Sequence, residues 1–315
     1  MQDKKAGTGA AALLPRAARK VARIVGSSAA CLLVIFLVAG FPLMLNSEER
    51  AMELKPAVMV TSAAKFVAGI GDGSSFWLKF GTTRWDFRKI GLRYARCSFL
   101  YTAVPGALGL GLGAFAGIAL RRGKKGLFDR FSDFILGTPD FLVILFLQGA
   151  VGWAVKACGL NLHVAAAGAR LAVLPVLCMS IFPFFFAYRA ASQASRGAEG
   201  EAFIVAARGR GVPERSIAWR HLGAVVLPRL DAELPLIIAF MQGSLFITER
   251  TFLIPGLAKF LFDSAFAGER VWLPGSIFQY NPSVLALISL VLCCAVTYLV
   301  LRLALLVARK VLTHE

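Results

Sequence analysis

CSFLYTAVPGALGLGLGAFAGIAL, residues Cys97 to Leu120, runs without a single charged side chain. A helix crossing the hydrocarbon core of a bilayer needs about 20 predominantly apolar residues. No water is available at that depth to satisfy irregular backbone, so an uninterrupted run of this length reads as a membrane-spanning helix. Ile24 to Asn46 and Val271 to Leu301 are equally free of charge, the latter supplying a span from roughly its last two thirds. Phe134 to Val155 carries only Asp140, Leu171 to Tyr188 is uncharged, and Leu234 to Ile254 carries Glu249 and Arg250 near its far end. The chain is therefore expected to be all-α and polytopic, with six transmembrane helices.

Composition agrees with this expectation. Of the 315 residues 57% are hydrophobic, against about 45–50% in soluble domains. The first apolar run is longer than the roughly 7–15 residues of a secretory signal's core, and Phe41-Pro42-Leu43 offers no small-residue cleavage pattern. It is expected to be retained as a span.

Lys and Arg in short loops near helix ends mark the cytoplasmic side. Lys4, Lys5, Arg16, Arg19, Lys20 and Arg23 precede the first span, and Arg121, Arg122, Lys124, Lys125 and Arg130 follow the second. Arg189, Arg196, Arg208, Arg210, Arg215, Arg220 and Arg229 follow the fourth, and Arg302, Arg309 and Lys310 close the chain. Both termini are thus expected in the cytoplasm. The organisation read from this is a basic cytoplasmic N-terminus (1–23), a first transmembrane helix (24–46) and an extracytoplasmic segment (47–96). A five-helix core (97–310) with a cytoplasmic loop (189–232) and a short cytoplasmic tail (311–315) complete it. Ser47 to Arg96 contains nine basic residues and is long enough to escape the charge rule.

The net charge of +17 is accounted for by topology and anionic headgroups and does not call for nucleic acid. Five of the six cysteines lie within or at the edge of apolar runs, Cys158 alone falling in a short outer loop, so no disulfide framework is visible. His163, His221 and His314 have no companions at metal-ligand spacing. Gly123-Lys124 is no phosphate-binding loop: Ile118 stands where its first glycine belongs and Lys125 where Ser or Thr would hold magnesium. No cofactor is expected, and work driven by ATP would need another chain to bind it. Gly109, Gly113 and Gly117 lie along one helix face, the arrangement that lets membrane helices approach closely.

The polar interruption between the fourth and fifth runs is the one structured polar surface the pattern offers. Ala202, Ala206 and Ala207 favour a helix with an apolar stripe at Phe203, Ala206 and Ala207. Gly211 permits the positive backbone angle that ends a helix. Pro213 opens a second helix with Glu214 at its dipole-favoured start, running through Ile217, Trp219 and Arg220 until Leu227-Pro228 returns the chain to the membrane. This is a helix–turn–helix with small residues before the turn and basic residues around it.

Glu201-Ala-Phe-Ile-Val-Ala-Ala-Arg-Gly-Arg-Gly211-Val-Pro-Glu, continued by Val226-Leu227-Pro228, resembles the cytoplasmic EAA loop of permease subunits of binding-protein-dependent ABC transporters, in the version of the oligopeptide/dipeptide permease family. Glu249-Arg-Thr-Phe-Leu-Ile-Pro-Gly-Leu257, Asp133 followed by Pro139 and Phe141, and the pair Leu174-Pro175 are similar to further segments of that family. The resemblance covers about Ser98 to the C-terminus. Val205 stands where many such permeases carry an acid, Asp140 where the family commonly has a small or neutral residue, and the Pro-Gly-Asp-Pro pattern after the first helix is missing. The resemblance implies a permease subunit, not an enzyme, in a cell inner membrane. A second homologous permease subunit, cytoplasmic ABC ATPase subunits and an extracytoplasmic solute-binding protein would be its partners, and a peptide-like solute its cargo. Ala206, Ala207, Arg208, Gly211 and Pro213 carry over as ATPase-coupling residues, with Ala207 against the ATPase groove. Asp140 and Glu249 are the candidates for the translocation pathway, because an intramembrane acid faces a cavity or a partner; for Glu249 a pair with Arg250 is the competing role. A secondary transporter or channel working without an ATPase is the alternative, although no inverted repeats support it. An intramembrane hydrolase ranks last, since no catalytic constellation lies within the spans.

Overall fold

The computed structural model describes residues 26–41, 45–48, 51–54, 56–80, 83–121, 126–158, 172–265 and 280–313. The basic N-terminus 1–23, residues 122–125 of the first basic loop, residues 271–279 of the last expected span and the end of the tail lie outside them.

Two units divide the chain. The first, from Met1–Arg88 and Leu261–Ile288, contains α1 (Gly26–Phe41), the antiparallel ribbon β1 (Leu45–Glu48) with β2 (Ala51–Leu54), α2 (Pro56–Asp72), and the ribbon β3 (Trp77–Phe80) with β4 (Thr83–Asp86). Phe66 of α2 is its aromatic centre, edge-on to Phe36 at 5.9 Å and to Tyr280 at 6.2 Å. These two ribbons are the only strands among the described residues, so the all-α expectation holds apart from them.

The second unit, from Lys89–Phe260 and Ser289–Glu315, is helical. Its elements are α3 (Phe87–Ala119) from Lys89 on, α4 (Leu127–Gly137), α5 (Asp140–Cys158), α6 (Val173–Ala198), α7 (Ala202–Gly209), α8 (Glu214–Ser216), α9 (Gly223–Thr251), α10 (Leu257–Ala265) as far as Phe260, and α11 (Tyr280–Thr313) from Ser289 on. A π-helical turn, Ile217–Leu222, joins α8 to α9 without a break.

Among the described residues four helices, α3, α5, α6 and α11, are long and apolar enough to cross a membrane. Of the run expected over 24–46, the described helical part is α1, and residues 24–25 and 42–44 lie outside the described residues. That expected over 234–254 belongs to the longer α9, whose charge-free stretch from Leu234 to Thr248 falls short of a span because Arg229, Asp231 and Glu233 precede it. The run 134–155 is not one helix. Pro139 lacks the N–H to continue the ladder and biases Thr138 to an extended backbone (ψ 135°), so α4 ends and Asp140 opens α5.

The glycine stripe of α3 is what brings α6 to it. A Cβ at Gly109 would lie 2.6 Å from Pro183 Cβ, and one at Gly117 would lie 2.6 Å from the Tyr188 carbonyl; at Gly113 it would strike the Phe184 carbonyl. Glycine alone permits this backbone-to-backbone approach. On the opposite flank of α6, Phe182 and Phe186 pack on Phe240 of α9 at 4.9 and 5.5 Å. Phe128 and Phe131 of α4 lie against Phe185, and Phe128 is edge-on to Tyr188 at 4.7 Å.

Gly111, two residues from Gly113, has open space where a Cβ would be. Gly113→Val should therefore overpack the α3–α6 contact by about 1–3 kcal/mol, whereas Gly111→Val should be near neutral. Thermal melts of the two purified variants in detergent check this: a clear drop for the first and little change for the second is expected.

Candidate functional site

Local backbone chemistry builds the loop between α6 and α9. Gly211 has φ +74°, and around it the Val212 N–H donates to the Ala207 carbonyl at 3.1 Å and the Gly211 N–H to Arg208 at 2.9 Å. Those two bonds form a Schellman motif, closing α7 on its own last carbonyls. The hydrophobic contact that accompanies such a motif is present. Ala207 belongs to a buried cluster with Ala198, Ile204, Ile217 and Leu222, on which Val212 packs. Pro213 stands immediately before α8 and not inside its first turn; its carbonyl accepts the N–H groups of Ser216 and Ile217 at 2.8 and 3.1 Å.

Ala207 is completely buried in this cluster. The expectation that it lies on a partner's surface is corrected accordingly: the apolar stripe that turns inward is Ile204 with Ala207, and Phe203 with Ala206 faces outward. The eight-residue helix leaves Phe203 44% and Val205 56% exposed, two large apolar side chains on an otherwise polar loop.

Behind this outward face lies an ion network that joins five elements, the end of α3, α4, α6, α7 and α8. Arg121, just beyond α3 and almost fully buried, donates from Nε to Glu199 at 3.1 Å and from Nη2 to Glu214 at 3.3 Å. Its Nη1 donates to the Ile118 carbonyl at 3.0 Å, satisfying a group that the end of α3 leaves free. Arg208 of α7 donates to the same Glu214 at 2.9 Å and pairs with Glu199 at 3.5 Å. Arg196 of α6 donates to the Arg121 carbonyl at 3.2 Å and to Asp129 of α4 at 2.8 Å, and Asp129 also accepts from Tyr188 at 2.7 Å. Trp219 adds an apolar strut, stacked on Phe115 of α3 at 5.1 Å. Of the expected coupling residues, Arg208 is thus drawn into the network, Gly211 and Pro213 shape the turn, and Ala206 alone shares the exposed face with Phe203.

Asp140 and Glu249 do not belong to this site, and they make separate hydrogen-bond sets. Asp140 accepts from Ser244 of α9 at 2.7 Å and from the Phe141 N–H at 2.9 Å, so the acid caps the start of α5 and ties it to α9. Glu249 is completely buried. It accepts from Ser98 Oγ at 2.5 Å and from the Lys259 N–H at 2.9 Å, while Ser98 Oγ in turn accepts the Leu257 N–H at 2.7 Å. The carboxylate therefore sits over the N-terminus of α10, where the helix dipole and free amides favour an anion. It fills the space where a Cβ of Gly256 would be, which explains why glycine follows Pro255. These bonds anchor α10 to α3 and α9. Among the described residues no three His, Cys, Asp or Glu side chains gather where they could hold a metal ion.

The family described as the inner membrane component of binding-protein-dependent transport systems matches residues 109–310. That is more than half of the chain, and the chain belongs to this family. None of the curated proteins compared with it matches.

Asp129 gives a pH test of the network. Burial pushes its carboxyl up, but bonds from Tyr188 and Arg196 and the Arg196 charge outweigh burial and hold it below its ordinary value. A depressed folded pKa contributes stability that is complete above the unfolded value of about 3.9 and is lost as pH falls through the folded value. Asp129→Asn should consequently lower the melting temperature by the same amount at about pH 5 as at about pH 8. A deficit that grows toward the lower pH would show that the carboxyl is held above its ordinary value instead.

Proposed function

We propose that this membrane component of a binding-protein-dependent transport system is the permease subunit of an ABC importer for a peptide-like solute, coupled to ATPase subunits through its 201–228 loop. It pairs with a second, homologous permease subunit, receives solute from an extracytoplasmic binding protein, and crosses a cell inner membrane six times with both termini in the cytoplasm. The peptide-like solute rests on the motif resemblance around Glu201–Gly211 and Glu249–Leu257. The sidedness rests on the Lys and Arg distribution.

One observation carries the coupling role: a short helix with Phe203, Val205 and Ala206 exposed on its outer face is fastened from behind to the ends of α3 and α6. The exposed face suits a groove on a partner; Ala206 leaves room for close approach. Force applied there reaches α3 through Arg121 and Trp219, and α6 through Glu199 and Arg196. The assembly would then act as a two-state element whose equilibrium nucleotide binding on the partner biases by differential contact.

Gly211→Val forces a β-branched residue into a left-handed backbone at a cost of about 1–3 kcal/mol, and Ala206→Trp adds bulk on the outward face. Both should leave membrane levels near normal while abolishing solute-stimulated ATP hydrolysis and uptake in proteoliposomes carrying the complete transporter. Ala207→Trp should behave differently, reducing protein yield, since it overpacks a buried cluster. Wild-type uptake by both Gly211→Val and Ala206→Trp would remove the loop from the coupling role and favour transport without an ATPase.

A further inference from the structure

The cations at the other end of α3 have no role in the loop. Lys89, Arg93 and Arg96 follow one another at helical spacing on one face of the first turns of α3. All three are exposed, and none of them is ion-paired among the described residues. Arg88, one residue earlier, is by contrast bonded to Asp86 at 3.1 Å. Together with Leu92, Cys97, Leu100, Tyr101 and Pro255 they line a groove of about 360 Å³. The cations, with Leu92 among them, lie before Cys97, where the charge-free run begins, and Leu100 and Tyr101 lie within that run.

Depth in the bilayer follows from helical rise. Arg96 and Arg121 are 25 residues apart in sequence, about 37 Å along a helix, which is somewhat more than the roughly 30 Å of a hydrocarbon core. With Arg121 in the network at one surface, the three cations stand at headgroup depth at the other. The apolar wall of the groove starts one turn deeper, where an acyl chain runs. A soluble anion would use the cations and leave the apolar wall unused; an amphiphile uses both.

We propose that this groove binds an anionic phospholipid, its phosphate held by Lys89, Arg93 and Arg96 and an acyl chain lying along Leu100, Tyr101 and Pro255. The site rests on α3 crossing the membrane and is independent of the solute and of the ATPase partners. Each surface cation contributes about 1 kcal/mol to attraction for anionic lipid, a factor of about five in affinity. Replacing all three therefore weakens binding about a hundredfold.

The test uses the full chain in a zwitterionic detergent, titrated with phosphatidylglycerol, with phosphatidylcholine or with inorganic phosphate, reading melting temperature and lipid adducts by native mass spectrometry. Phosphatidylglycerol should stabilise the protein and appear as an adduct, and the other two should not. Lys89→Gln/Arg93→Gln/Arg96→Gln should lose the effect, while Arg130→Gln/Lys156→Gln/Lys310→Gln, which removes three exposed cations elsewhere, should keep it. If the triple variant is too unstable to purify, Arg93→Gln should weaken the phosphatidylglycerol response about fivefold and Arg93→Lys should restore it. Equal stabilisation by phosphatidylcholine, full stabilisation by phosphate alone, or an unchanged response in the first triple variant or in Arg93→Gln would overturn the proposal.

Discussion

Three glycines on one face of α3 set the distance on which the loop between α6 and α9 depends. Because Gly109, Gly113 and Gly117 have no side chains, α6 lies against α3 with backbone touching backbone at Pro183, Phe184 and Tyr188. That close pairing is what brings the end of α3 beside the residues that follow α6. Arg121 then reaches Glu199 at 3.1 Å and Glu214 at 3.3 Å without leaving the Ile118 carbonyl. A larger residue in the stripe would separate the helices and pull the guanidinium from both acids. The loop's position is thus set inside the membrane region, several turns from the loop itself.

A buried guanidinium is costly unless it is paired and hydrogen-bonded. Arg121 meets that condition with two carboxylates and a carbonyl, and Arg208 shares the same two acids from the loop side. Loss of Arg121 would remove one of the two guanidinium groups that Glu199 and Glu214 share. Charge-assisted hydrogen bonds of this kind contribute about 1.5–3 kcal/mol each, and partial exposure of the two acids places these at the lower end. The network can therefore hold the loop to α3 firmly enough that a partner's contacts of a few kcal/mol shift the two together.

Local chemistry was legible in the sequence, and long-range chemistry was not. Gly211 before Pro213 announced a left-handed turn, and the four-residue glycine spacing announced a close helix pair; both are statements about neighbours in the chain. The Arg121 network escaped because its partners lie 78 and 93 residues away, and Arg121 reads as a topology marker like every other base near a span. Glu249 escaped for a related reason: the chain turns back after Leu253, itself at φ +54°, and presents the amides of α10 to an acid that precedes them. The phase of α7 was misread because Phe203 is the larger apolar residue, yet the cluster beneath has room for Ile204 and Ala207. Pro139 was visible, but its consequence, an acid opening a helix instead of interrupting one, needed the fold.

The central claim is that Arg121 fastens the loop to α3 so that the two move as one body. Spin labels at exposed Leu112 on α3 and at Arg210 in the loop, with the distance between them measured by pulsed electron resonance in the assembled transporter, test it most directly. The account predicts one narrow distance, the same with and without ATP, that becomes broad or nucleotide-dependent in Arg121→Gln. An unchanged narrow distribution in that variant would contradict it.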